Sequence, residues 1–250
     1  MNLREKCALV VGASSGMGEA IARRLVHCGY RVAMVARRGD VLDSLAAELN
    51  SAAGAEVAFP FPADVTDYQH VPALFEKVFE ALGGLTVMIY AAGSMPKVAV
   101  DEYNFSKDQQ MVETNLLGMM AWANCAADLF HRLKQGTIVG IGSIAGDRGR
   151  KAQPGYNTSK GAQAIFLESL RNRLDREGVR VVTIKPGFVQ TPMTAGLGNL
   201  LWMISADEAA RRIVSAAERS HGVVYVPRRW RLVSWIIGRI PSVIFRKLDI

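Results

Sequence analysis

Residues 8–26 read ALVVGASSGMGEAIARRLV: a short apolar run from Ala8 to Val11, then Gly12-Ala13-Ser14-Ser15-Gly16-Met17-Gly18, then Ala20, Ile21, Leu25 and Val26 at helical spacing. The order is strand, glycine turn, helix. Glycines let the backbone come close to a pyrophosphate, while the start of the following helix offers unpaired N–H groups and the positive end of its dipole. A glycine turn by itself is often only a turn. Because this one closes a strand and opens a helix, Gly12, Ser14, Ser15, Gly16, Met17 and Gly18 are expected to cradle a dinucleotide.

Arg31 to Ala36 reads as a second strand, with Arg37 and Arg38 just beyond its carboxyl end. An acid at that place would meet the ribose hydroxyls of NAD. Two arginines suit the extra 2′-phosphate of NADP instead, because guanidinium forks match phosphate geometry, and Arg37 is the stronger candidate. Charge solvated at a strand end is the alternative. Val41 to Leu49 is amphipathic, and Glu56 to Phe61 reads as a third strand whose Pro60 belongs at a sheet edge. Asp64 and Val65 follow it, where an adenine ring would lie. Asp64 either accepts from the adenine amino group or caps a helix starting near Asp67.

A helix to Leu82 precedes a fourth strand, Thr86 to Tyr90, after which the small residues Ala91, Ala92 and Gly93 leave room for a cofactor. A helical pattern from about Ser106 to Leu133 carries Asn115 in its middle, where a side-chain amide costs propensity and can deform the helix. Met111, Leu116, Met119, Met120 and Trp122 read as packing, in the core or at a subunit contact.

Thr137 to Ile141 is a fifth strand ending at Gly142-Ser143, and a helix from Pro154 to about Glu177 presents Tyr156 and Lys160 four apart on one face. A cation beside a phenol favours the phenolate, which suits general acid/base chemistry, and Ser143 is placed to hold a substrate oxygen. That spacing alone is weak evidence, since helix surfaces offer it by chance. Val179 to Lys185 is a sixth strand running into Pro186-Gly187, with Val189 and Thr191 beyond. Met193 to Ile204 is apolar and glycine-bearing, which suits a mobile lid. A helix over Ala206 to Arg219 and a strand over Val223 to Val226 follow.

Repeated strand-helix alternation implies right-handed parallel crossovers. The expected fold is α/β: a Rossmann-like, doubly wound, parallel seven-stranded sheet of order 3-2-1-4-5-6-7 in a single domain over residues 1–226, with a basic amphipathic extension over 227–250. Gly12, Arg37, Asp64, Gly93, Ser143 and Gly187 then all fall at the carboxyl edge of the sheet.

The totals narrow the function. The 250 residues are half apolar, enough for one sizeable core. Of the net charge of +7, six basic residues against Asp249 between Val226 and Ile250 account for most. A nucleic-acid groove would draw on the body of the domain, so none is expected. Cys7, Cys28 and Cys125 are too scattered for a disulfide framework or a metal site, and reduced thiols in the cytoplasm are expected. No stretch approaches the ~20 apolar residues of a transmembrane helix. The tail interleaves Trp230, Leu232, Trp235, Ile236, Ile240, Val243, Ile244 and Phe245 with arginines, which suits either the interface of an anionic membrane or a contact with a neighbouring subunit.

Gly12-xxx-Gly16-x-Gly18, Asp64-Val65, Asn115, Ser143, Tyr156-xxx-Lys160 and Pro186-Gly187 with Thr191 together resemble the short-chain dehydrogenase/reductase family, over nearly the whole chain from Ala8 to Val226. The resemblance implies hydride transfer between a nicotinamide and a carbonyl or carbinol carbon. It implies Tyr156 as acid/base, Ser143 orienting the substrate oxygen, and Lys160 binding the nicotinamide ribose and lowering the Tyr156 pKa. It also implies Asn115 holding a water that links Lys160 to solvent. Two departures, Val11 before the first glycine and Tyr90-Ala91-Ala92-Gly93 in place of Asn-Asn-Ala-Gly, remove hydrogen bonds that brace the central strands. A narrower resemblance, on Gly146-Asp147-Arg148-Gly149-Arg150 and on Arg239 to Leu248, is to the decaprenylphosphoryl 2-keto-pentose reductase group, which implies a lipid-linked or bulky apolar ketone. Arg148, Arg150 and Lys151 are either near an anionic substrate group or solvated loop charges. The expected protein is an NADP(H)-dependent, homo-oligomeric oxidoreductase with possible peripheral membrane contact; the alternative is a non-catalytic NADP(H)-binding sensor.

Overall fold

The computed structural model describes residues 6–196 and 200–248. Its first unit is β1 (Cys7–Val11), α1 (Gly16–His27), β2 (Arg31–Ala36), α2 (Gly39–Ala53) and β3 (Ala58–Pro62). All five residues of β1 are buried, the signature of a parallel strand covered on both faces. Alternate residues feed two cores. Ala8 and Val10 join Ile21, Leu25, Leu42 and Ile213 on one side, and Leu9 and Val11 join Phe75, Val78, Trp122 and Phe130 on the other.

The third strand begins at Ala58 rather than Glu56, because the Asn50 carboxamide oxygen accepts the N–H groups of Val57 and Ala58 at 2.8 Å each and holds the entry as a loop. Pro60 pairs in register with Met34 on an edge strand, where its missing donor costs no ladder bond. The helix expected near Asp67 is α3 (Val71–Leu82), entered through turns and a proline in its first turn. After β4 (Val87–Tyr90), the expected single helix is three pieces: α4 (Phe105–Val112), a π-helical turn over Glu113–Leu117, and α5 (Gly118–Leu133). Carbonyls of that turn are taken by other elements. Tyr90 donates its hydroxyl to the Thr114 oxygen at 2.6 Å, and the Gln163 amide donates to the Asn115 oxygen.

Then come β5 (Gly136–Ile141), α6 (Pro154–Leu174), β6 (Val179–Pro186), β7 (Val189–Gln190), β8 (Ile204–Ser205), α7 (Ala206–Arg219) and β9 (Gly222–Val226). The seven-stranded sheet runs β3-β2-β1-β4-β5-β6-β9, all parallel, which is the order expected. The two-residue ladder of β7 with β8 was not anticipated, and it ties together the two ends of the expected lid. Part of that lid, including Leu197, lies outside the described residues.

The extension forms α8 (Trp230–Arg239) and α9 (Ser242–Phe245), and it folds back on its own chain. Trp230 is buried and meets Phe188 and Trp202 edge-on, each at 5.5 Å between ring centroids. Arg148 donates to the Ile237 carbonyl and lies 3.9 Å over the Phe245 ring. Among the described residues, no helix is long and apolar enough to cross a membrane.

Candidate active site

Every strand of the sheet delivers its carboxyl end to one edge, and a cleft opens there over β1 and β4. It is lined by Gly12, Ser14, Ser15, Gly16, Met17 and Gly18, by Arg37 and Arg38, by Asp64 and Val65, by Ala92 and Gly93, and by Thr191. Its floor has no room for side chains. A Cβ on Gly12, whose φ is +92°, would lie 2.4 Å from the Ala92 nitrogen, and one on Gly18 would lie 1.9 Å from the Gly12 oxygen. Ser15 starts α1 without capping it through its side chain, so the first N–H groups of that helix have no side-chain acceptor.

The two arginines divide. Arg38 donates through Nη2 to the Ser14 carbonyl and hydroxyl, each at 2.9 Å, and so braces the glycine turn. Arg37 is 74 % exposed, and its nearest carboxylate is Asp64 at 3.8 Å. Asp64 caps neither α3 nor its entry: its Oδ1 accepts from the Thr66 N–H at 2.9 Å and the Thr66 hydroxyl at 2.8 Å, closing a local turn. Burial pushes the Asp64 pKa up, but the Thr66 bonds and Arg37 outweigh it and leave the carboxyl below its ordinary value.

Three residues expected at the cofactor lie just behind this cleft and do not line it. Pro186 ends β6 and is buried, Val189 is buried in β7, and neither lines the cleft. Gly187 is small for another reason: a Cβ there would sit 2.0 Å from the Trp230 indole nitrogen. The lining residues not singled out in the sequence are Ala36, Ala63, Thr114 and Pro192, while Ala91 and Met193, the start of the expected lid, line the cleft as well. Most are immediate neighbours of the expected ones, so strand-end position was the usable signal. Thr114 comes in only because the π-helical turn presents it.

Beside the cleft, Ser143, Tyr156 and Lys160 meet. Ser143 follows β5, its Oγ accepts from the Ala145 N–H at 3.0 Å, and its side chain is near enough to the Tyr156 phenol to favour the phenolate. Gly146 sets this spacing, since a Cβ there would fall 2.6 Å from the Lys160 carbonyl carbon in α6. Lys160 is buried, donates to the Ile141 carbonyl at 2.9 Å, and holds its ammonium 5.7 Å from the Tyr156 ring centroid. Burial pushes its pKa down to about 7.

The pKa balance at Tyr156 differs from the sequence expectation. Burial raises it, the neighbouring Ser143 opposes, and the net shift is upward. Desolvation of the phenolate outweighs its stabilisation here, with Lys160 engaged by the Ile141 carbonyl.

Asn115 is fully buried. Its Oδ1 accepts from the Ser94 N–H at 2.7 Å, and its Nδ2 donates to the Ser94 carbonyl at 3.0 Å and to the Ser159 hydroxyl at 2.9 Å. The expected water contact thus competes with protein partners already in place: the side chain fixes the loop after β4, and the Asn115 carbonyl takes the Gln163 amide. Tyr90, the other departure, supplies a brace of its own through its bond to Thr114, made possible by Gly118, where a Cβ would fall 2.5 Å from the phenol oxygen. Arg148 is engaged by the tail, and Asp147 is paired with Lys185 and accepts from the Tyr225 hydroxyl at 3.2 Å.

A glycine-floored cleft at the carboxyl edge of a doubly wound sheet defines a dinucleotide-binding protein of Rossmann type. The model of the short chain dehydrogenase family matches residues 6–200, and the chain belongs to that family of oxidoreductases. An uncharacterized oxidoreductase of Staphylococcus epidermidis is 30% identical over 89% of this chain and 91% of its own length. Among solved structures, an actinorhodin polyketide ketoreductase with NADPH is 28% identical, with a TM-score of 0.79 over 89% of this chain and 95% of that one. A short-chain type dehydrogenase/reductase from Mycobacterium ulcerans has the same fold, with a TM-score of 0.82 at 22% identity, over 99% of this chain and 100% of that one.

Proposed function

We propose that the protein is an NADPH-dependent reductase of a bulky, apolar or lipid-linked ketone. The observation that carries this is the buried Lys160, its ammonium 5.7 Å from the Tyr156 ring centroid and donating to the end of β5 just before Ser143, next to a cleft bearing Arg37 and Arg38. The cleft fits a dinucleotide: Gly12 and Gly18 stand where any Cβ would meet backbone, and the open start of α1 suits a pyrophosphate. The nicotinamide, when bound, supplies a hydride to the carbonyl carbon.

The chain's own residues do the rest. Tyr156 gives its hydroxyl proton to the carbonyl oxygen as that oxygen gains charge, and its raised pKa keeps the proton in place at neutral pH. Ser143 orients the same oxygen. Lys160, its pKa brought down to about 7, carries its proton in part at neutral pH, and in that charged form it favours proton loss from Tyr156 at the moment of transfer. Arg37, and behind it Arg38, hold the 2′-phosphate that separates NADP from NAD. Asn115 is a positioning residue, holding the loop at Ser94 against α6. The proposed catalytic unit spans residues 1–226 and works as a homo-oligomer, while the extension over 227–250 touches a membrane surface where an apolar ketone would be found. Met193, on the cleft wall, and the exposed Leu201 and Trp202 provide the apolar lid.

Replacing Tyr156 with Phe is expected to lower turnover of an accepted ketone by about 10²–10⁴-fold, followed by NADPH absorbance, while NADPH binding stays within about twofold. Equal turnover by wild type and variant would remove Tyr156 from this role.

A further inference from the structure

On the edge of the sheet away from the glycine turn, a second cleft lies between α7, β9 and the start of α8. Five arginines line it: Arg211, Arg212 and Arg219 from α7, Arg228 from the segment leading into α8, and Arg231 from the first turn of α8. Arg211, Ser215 and Arg219 follow at intervals of four, so α7 turns one face of hydroxyl and guanidinium into the cleft. Only Arg212 has an ion-pair partner among the described residues, Glu208 of its own helix at 2.7 Å. Like charges gathered in one concavity repel one another, and an anion that accepts from several forks relieves this.

The neighbouring surface identifies the anion's setting. Trp235 lies one helical turn beyond Arg231 on the same side of α8, and Leu232, Trp235 and Ile236 are all exposed. Arg239 continues the stripe, its guanidinium 4.0 Å over the Trp235 ring. Val243 and Ile244 extend the exposed apolar strip into α9. A free phosphate needs only the arginines. A phosphate that terminates a bilayer lipid also accounts for the aromatic and aliphatic strip directly beside them, because such side chains enter the headgroup–acyl boundary while arginines stay at phosphate level.

We propose that the α7–β9–α8 cleft binds the phosphate headgroup of a membrane lipid, with the exposed face of α8 and α9 inserted alongside. The proposal rests on the membrane reading of the extension and adds a lipid-phosphate site that includes residues of the domain body. It leaves the cofactor cleft free, since none of the five arginines lines that cleft.

The test is co-sedimentation of the full chain with vesicles of phosphatidylcholine alone and of phosphatidylcholine with added phosphatidic acid. The double variant Arg211→Glu/Arg219→Glu is compared with Lys77→Glu/Arg173→Glu, which makes the same charge change on the opposite face of the sheet. Wild type is expected to bind the phosphatidic acid vesicles; the α7 variant loses about tenfold or more in affinity, the control variant much less, and Trp235→Ser/Ile236→Ser weakens binding as well. Equal loss in both charge variants would overturn the site, leaving only a general field. Binding that survives Arg211→Glu/Arg219→Glu would overturn the cleft while the membrane reading stands. A melting-temperature increase with inorganic phosphate, dependent on these arginines but without binding to either vesicle, would overturn the lipid as the source of the phosphate. Absence of binding to vesicles and phosphate alike would overturn the proposal entirely.

Discussion

Tyr156 and Lys160 are both buried ionisable groups, and burial acts on them in opposite directions, raising the phenol and lowering the ammonium. The lysine has a consequence for the pH dependence of stability. In the unfolded chain it holds its proton to about pH 10.4, whereas in the fold it releases it near 7. Between those limits the unfolded state binds more protons, so stability rises with pH. The melting temperature of wild type is therefore expected to gain, relative to Lys160→Met, as the buffer moves from about pH 7 to about pH 10. A pH-independent difference between the two proteins would refute the buried charge. The phenol adds nothing in that window, because its ordinary and folded values both lie at or above its upper end. Arg37 is the other residue with a single testable role. As Arg38 is anchored on Ser14, reversing the exposed partner with Arg37→Asp is expected to weaken NADPH binding by about 10–100-fold with little effect on NADH, measured by fluorescence titration. An unchanged preference would count against the 2′-phosphate contact. The pattern of glycines and hydroxyls was readable from residues alone because spacing and strand ends determine it. Gly187 was not: its neighbour is Trp230, forty-three residues later, and no local pattern shows that contact.

Most elements followed from apolar period and turn residues, with ends displaced by a few residues where a side chain competed for the backbone, as Asn50 does before β3. The departure over 113–117 is of another kind. Helical periodicity continues through the π-helical turn, so its apolar pattern is that of one long helix. The deciding groups, the Tyr90 phenol and the Gln163 amide, come from β4 and α6. Tyr90→Phe removes the donor of the half-buried Thr114 carbonyl, an expected loss of about 1–2 kcal/mol, or about 2–8 °C in melting temperature for a chain of this size. Thermal unfolding checks it, and an unchanged midpoint would mean that the π turn is held by other contacts. The phenol is a secure donor, since burial keeps it protonated well above its ordinary range.

At the scale of the molecule, strand order was legible because the seven parallel strands must cross over in one hand, and because Pro60 singles out an edge. The placement of the extension was not. Its composition suited a membrane or a neighbouring subunit, and the fold supplies a further partner, the chain's own rim. One face of α8 is fixed by Trp230 and by the Arg148 bond to Ile237, and the other stays exposed. Both readings of composition were about the exposed half. The seat under Trp230 now has a practical meaning. A chain ended at Val226 resembles a clean removal of a surface appendage, but it also empties the hollow over Gly187, between Phe188 and Trp202, on the segment that leads to Thr191 and Met193. Such a shortened protein is a cavity variant of the cofactor site, and any change in its turnover reports on packing before it reports on lipid.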